Sequence, residues 1–135
     1  MEVQNIIEGG ITLARHIPSE VAWKEPLAFF SGEDEFVQVG TWNYESGKKL
    51  MAHRHNLVPR TVDWTQEVLY VRSGRIRASV YDGNEKLITT LEAGPGDILI
   101  LLNGGHGYEI LEDGSQVLEV KNGPYLGPEV DRRRF

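Results

Sequence analysis

From Gln66 onward, turn chemistry interrupts the chain at short, regular intervals: Ser73-Gly74, Asp82-Gly83-Asn84, Ala93-Gly94-Pro95-Gly96-Asp97 and Asn103-Gly104-Gly105. Runs rich in β-branched, aromatic and other apolar residues fill the gaps, and short runs between such turns are the signature of antiparallel strands in a sandwich or barrel. The runs Gln66–Val71, Arg75–Tyr81, Lys86–Leu91, Ile98–Leu102, Gly107–Leu111 and Gln116–Lys121 read as strands. Asp82-Gly83 is a hairpin signal, and Pro95-Gly96 has the order a type II turn requires. Ile98–Leu102 is continuously apolar, which predicts a strand covered on both faces.

Upstream, Gln4–Ile17 predicts one or two strands broken at Gly9-Gly10, followed by strands at Leu27–Phe30, Phe36–Tyr44 and Leu50–His55. Ser19–Glu25, closed by Pro26, predicts a short helical turn capped by Ser19. Asn56–Thr65 contains Pro59 and reads as a loop, and Gly32-Glu33-Asp34-Glu35 as a solvated acidic turn. His16 stands apart from the other histidines and reads as a partly exposed polar position. The whole is all-β.

At 135 residues the chain has the length of one domain that buries its own core. Its net charge of −6 argues against nucleic acid as a partner, because phosphate binding needs a basic surface. No apolar run approaches the roughly 20 residues that span a bilayer, and the first residues lack a basic-then-apolar leader. A cytoplasmic protein that does not use a membrane is the expectation. Cysteine is absent, so a metal site here must use nitrogen and oxygen ligands.

His53 and His55 are two apart. On a strand both imidazoles leave one face, and Glu67 opens the next strand-forming run. Two nitrogens and one oxygen converging from neighbouring strands suit a divalent transition metal.

Gly47, His53, His55, Glu67 and Gly74 together resemble the first motif of the cupin superfamily, G-x5-H-x-H-x3-4-E-x6-G. Both outer spacings are met, and eleven residues replace three or four between His55 and Glu67. A longer rim loop accommodates that insertion, since closure entropy grows slowly with length. Gly96-Asp97, Gly104 and His106 resemble parts of the second motif, G-x5-P-x-G-x2-H-x3-N. Leu102 stands in place of its proline, the histidine comes one residue early, and Ile110 takes the place of its asparagine. The resemblance implies a double-stranded β-helix (jelly-roll) barrel: one cupin domain over 1–135, with a motif core at 36–121 and a C-terminal strap at 122–135. It also implies one divalent metal ion (Fe, Mn, Zn or Ni) held by His53, His55, Glu67 and His106. A homodimer is expected, from exposed strand edges and an extended terminus.

Around that site, alternation places Tyr108 on the face of His106, Glu119 with Lys121, and Arg77 with Tyr81. Tyr108, Arg77 and Lys121 are the candidate catalytic groups, the two cations suited to an anionic small-molecule substrate. Trp42 reads as barrel wall and Trp64 as rim. Three functions fit. The first is a metal-dependent isomerase, lyase or dioxygenase acting on a small organic acid or sugar derivative. The second is a metal-independent isomerase or epimerase of nucleotide-sugar and polysaccharide biosynthesis, whose small cupins the runs Gly104–Leu111 and Val120–Tyr125 resemble. There His53 or His106 would be the base and Tyr108 or Tyr81 the acid. The third is a non-catalytic binder of a small ligand.

Overall fold

The computed structural model describes residues 2–135 and is built almost entirely of antiparallel strands. In chain order these are β1 (Gln4–Glu8), β2 (Ile11–Ile17), β3 (Leu27–Phe29), β4 (Gly40–Trp42), β5 (Glu67–Ser73), β6 (Ile76–Tyr81), β7 (Leu87–Ala93), β8 (Ile98–Leu101), β9 (Gly105–Ile110) and β10 (Gln116–Lys121). One helical turn, α1 (Pro128–Asp131), follows. A five-stranded sheet runs β1-β2-β8-β5-β10, a three-stranded sheet runs β7-β6-β9, and β3 and β4 form a separate ribbon.

The two larger sheets face each other across a core of Leu69, Val71, Ile76, Ala78, Val80, Leu99 and Leu101. Burying each of the larger side chains contributes about 1.5–3 kcal/mol. The predicted double burial of β8 has a simple origin. Leu99 and Leu101 fill the inter-sheet core, while Ile98, Ile100 and Leu102 face the other way beneath Phe30 and Val39 around the ribbon. The Pro95-Gly96 turn is present, with Gly96 at φ 87° and Asp97 N donating to Gly94 O at 3.0 Å.

Several upstream expectations are corrected. Ser19–Glu25 forms no helix: Val21 N closes one turn on Pro18 O, and Ser19 N is engaged by the Asp97 carboxylate at 2.8 Å. The strand expected over Phe36–Tyr44 is confined to β4, because Phe36 N and Val37 N donate to the buried Gln66 side chain instead of to a neighbouring strand. Leu50–His55 is not a strand. Nothing pairs with it, and every residue from Glu45 to Trp64 is exposed. Trp42 is not barrel wall but an exposed residue of the ribbon, edge-on to Tyr44 at 5.9 Å.

His16 is buried rather than partly exposed. Its Nε2 lies 3.0 Å from Asp97 Oδ2, on a strand held between two others. Glu35 closes the acidic turn, its N–H donating to Gly32 O at 3.1 Å, but its carboxylate is not solvated: it forms a bidentate, part-buried pair with Arg15 at 2.8 and 3.1 Å. Among the described residues the sheets do not close into a barrel, and β9 and β10 are edge strands.

Candidate functional site

Glu67 opens β5 on the face that carries Leu69 and Val71 into the core, so alternation alone would bury its carboxylate. It is 6% exposed, with Leu101 opposite it on β8 and Lys121 opposite it on β10. From the facing sheet β9 presents His106 and Tyr108, two apart and therefore on one face. The Tyr108 hydroxyl donates to Glu67 Oε1 at 2.7 Å, and His106 Nε2 lies 3.1 Å from the same oxygen. One buried carboxylate oxygen thus holds a phenol and an imidazole together, with their rings 5.3 Å apart.

The cluster opens into a cavity of about 950 Å³ between the sheets. Glu119 and Lys121 of β10 line it (their charged ends 3.5 Å apart), with Tyr81, Trp64 and the chain from Asp131 to Phe135. The end of the chain is strapped over this cavity. Phe135 sits edge-on to Tyr81 at 4.9 Å, Arg133 pairs with Glu85 at 3.0 Å, and Thr65 donates a short hydrogen bond to Asp131. Trp64 is fixed at the rim by its indole N–H, which donates to Leu102 O at 2.8 Å.

Burial is the largest influence on the Glu67 carboxyl and acts against its ionisation. The hydrogen bonds from His106 and Tyr108, and the positive charges of His106 and Lys121, outweigh it and hold the carboxyl down at about 2. Tyr108 is pushed the other way, first by burial and then by the Glu67 charge and hydrogen bond, with Glu119 adding to it. Its phenol keeps its proton far above the ordinary tyrosine range. At neutral pH the cluster is therefore an ionised carboxylate facing a protonated phenol.

Of the seven residues singled out from the sequence, the structure brings four to this cavity: Glu67, His106, Tyr108 and Lys121. Arg77 does not line it and lies beside Glu109 and Glu92 at 3.4 and 3.9 Å. His53 and His55 lie on the exposed segment between β4 and β5, their rings 5.2 Å apart and His53 Nδ1 within 3.0 Å of Met51 O. As a metal centre, the assembled donors are one oxygen from Glu67 and one nitrogen from His106. Among the described residues no three His, Asp or Glu side chains are arranged around a common point. The single chain thus presents half of the implied four-ligand set.

The sequence reading missed two supports. Gln66 is buried beside Glu67. Its amide oxygen accepts from Phe36 N and Val37 N, its Nε2 donates to Leu102 O at 3.3 Å, and its backbone N–H is met by Asn122 at 2.7 Å. Nothing in a local pattern marks such a glutamine. The tail is expected from the sequence as a strap over 122–135 with no role for its arginines, and the structure sets Arg132, Arg133 and Arg134 against the cavity. Comparison of the chain with family models, curated proteins and solved structures found no match.

Proposed function

We propose that this chain is a small jelly-roll protein of the cupin type whose cavity takes a small anionic organic acid or sugar derivative against Glu67, His106 and Tyr108. The observation that carries this reading is the Glu67 oxygen shared by Tyr108 and His106 at the wall of a cavity that Lys121 and Arg132–Arg134 also line. The path of the chain supports the jelly-roll part. It passes from β5 in one sheet to β6 and β7 in the other, back to β8, across to β9 and back to β10.

The chemistry follows from the cluster. Ionised Glu67 accepts from the Tyr108 hydroxyl and from Nε2–H of His106 in either charge state of the imidazole, so the proton that His106 takes up or gives back in turnover is the one on Nδ1. Tyr108, kept protonated, acts as a fixed hydrogen-bond donor and not as a proton source, and Lys121 with the tail arginines receives the acid group of the ligand. Proton removal and return on one small carbon acid, as in an isomerisation or epimerisation, uses all of these groups.

A panel of 2-oxo acids, dicarboxylates and a nucleoside diphosphate sugar, screened by thermal shift and then by proton exchange in D2O, tests the reading. A stabilising acid whose binding weakens tenfold or more in Lys121→Ala, and whose proton exchange disappears in Tyr108→Phe, is the expected result. Binding without exchange would make the chain a carrier. No stabilisation by any of these anions would remove the reading.

A second reading adds one divalent ion. Glu67 is held in the ligating, ionised form beside an imidazole nitrogen, and His53 and His55 would complete the set of nitrogen and oxygen donors. Such an ion would supply Lewis-acid polarisation of a carbonyl. Elemental analysis of untagged protein tests this: about one equivalent of metal in the wild type, lost in Glu67→Ala, supports it.

A further inference from the structure

From Glu45 to Asp63, between β4 and β5, the chain leaves the body and returns without a hydrogen bond to it. Every residue from Glu45 to Trp64 is exposed, and no hydrogen bond joins residues 49–63 to the rest of the described chain. Leu57 is 103% exposed, and Leu50, Met51, Val58 and Val62 are exposed with it. A structureless excursion of this length is uncommon in a compact domain, and five bare apolar side chains on it call for a partner surface. Its ends are held in place: Asn43 bonds to Trp23 O at 2.9 Å and Trp64 to Leu102 O at 2.8 Å.

The body has the complementary deficit. β9 is an edge strand whose outer row of N–H and C=O groups is unpaired, with Ile110 62% exposed on it. Charge offers one local match: Arg54 lies on the arm, and the largely exposed Glu109 of β9, within 3.4 Å of Arg77, has room for a second cation. Alternation matches too. On β9, His106, Tyr108 and Ile110 line the cavity while Glu109 falls on the opposite face. On the excursion, Met51, His53, His55 and Leu57 share one face of an extended strand, and Arg54 falls on the other.

We infer that the 46–63 arm of one subunit adds as an edge strand to β9 of a second copy, reciprocally. The exchange sets His53 and His55 of one subunit beside the cavity of the other and Arg54 beside Glu109. Reciprocal exchange closes as a two-fold pair and covers both deficits at once. The inference rests on the cavity reading only for what the imidazoles join; the exchange itself stands on the arm and the edge.

The absence of native cysteine allows a clean test. R54C and E109C proteins, mixed and oxidised, are expected to give a covalent heterodimer on a non-reducing gel, and the R54C/E109C double variant a covalent dimer. Sedimentation of the wild type is expected at twice 15.2 kDa. Replacing residues 49–62 by a short Gly-Ser linker is expected to give a monomer with an unchanged far-ultraviolet spectrum. An intramolecular disulfide in the double variant, meaning closure onto the subunit's own edge, would overturn the inference. So would a monomeric wild type, or a linker variant that is still a dimer. Loss of the dimer in the linker variant without any cross-link would overturn the assignment to β9. None of these outcomes depends on whether the cavity binds an acid, so failure of the exchange is distinguishable from failure of the proposed function.

Discussion

Tyr108 and Glu67, 41 positions apart on strands of opposing sheets, meet through one hydrogen bond of 2.7 Å at the wall of the cavity. The contact joins the two sheets through a charge, which makes it sensitive to pH where the apolar core is not.

Glu67 ties stability to acid. Its folded-state value of about 2 lies below the ordinary 4.5. A depressed carboxyl contributes stability that is complete above the unfolded value and disappears as pH falls through the folded one. The contribution is on the order of 3 kcal/mol and is expected to vanish between about pH 5 and pH 2. Urea denaturation of wild type and Glu67→Gln at pH 7 and pH 2 checks it: the gap between the two proteins should narrow at the lower pH.

Tyr108→Phe removes one of the donors that hold Glu67 ionised. A hydrogen bond to a charged group contributes about 1.5–3 kcal/mol, so the variant should lose about that much at neutral pH. Its acid transition should also begin at higher pH than in the wild type, which a pH series of thermal melts would show.

Asp97 is the polar pivot of the other end of the core. It meets His16 at 3.0 Å, Ser19 N at 2.8 Å and Gly94 N at 3.2 Å. Asp97→Ala strands the buried His16 and Gly94 N, and each buried polar group without a partner costs about 1–3 kcal/mol. A loss of at least about 2 kcal/mol at pH 7 is expected by chemical denaturation.

Gly104 turns the chain into β9 at φ 72°, and a Cβ there would lie 2.2 Å from Tyr81 O. Gly104→Ala therefore combines a left-handed backbone, unfavourable by about 1–2 kcal/mol, with a backbone clash. The variant should melt well below the wild type and show a disturbed His106 ring signal by NMR, because Gly104 sets the entry of β9, which carries His106.

What the sequence determined by itself is local. Turn chemistry at Ser73-Gly74, Asp82-Gly83, Pro95-Gly96 and Asn103-Gly104-Gly105 delimits β5 to β9 closely, since those turns depend on residues adjacent in the chain. Alternation likewise places Glu67 with Leu69 and Val71, and His106 with Tyr108, from position in the chain alone. Where no such local rule acts, the reading failed. Leu50–His55 has the composition of a strand, but a strand exists only when a neighbour pairs with it, and within one chain none does. His16 is buried because it shares the core-facing side of β2 with Ala14, opposite Leu99 of β8 and against Asp97, non-local contacts with no signature near position 16. Only the tertiary structure brought Glu67 to His106 and Tyr108, laid Arg132–Phe135 over the cavity, and left β9 bare. Each of these depends on which strands face or flank one another across the fold, a matter of long-range packing that no short stretch of chain encodes.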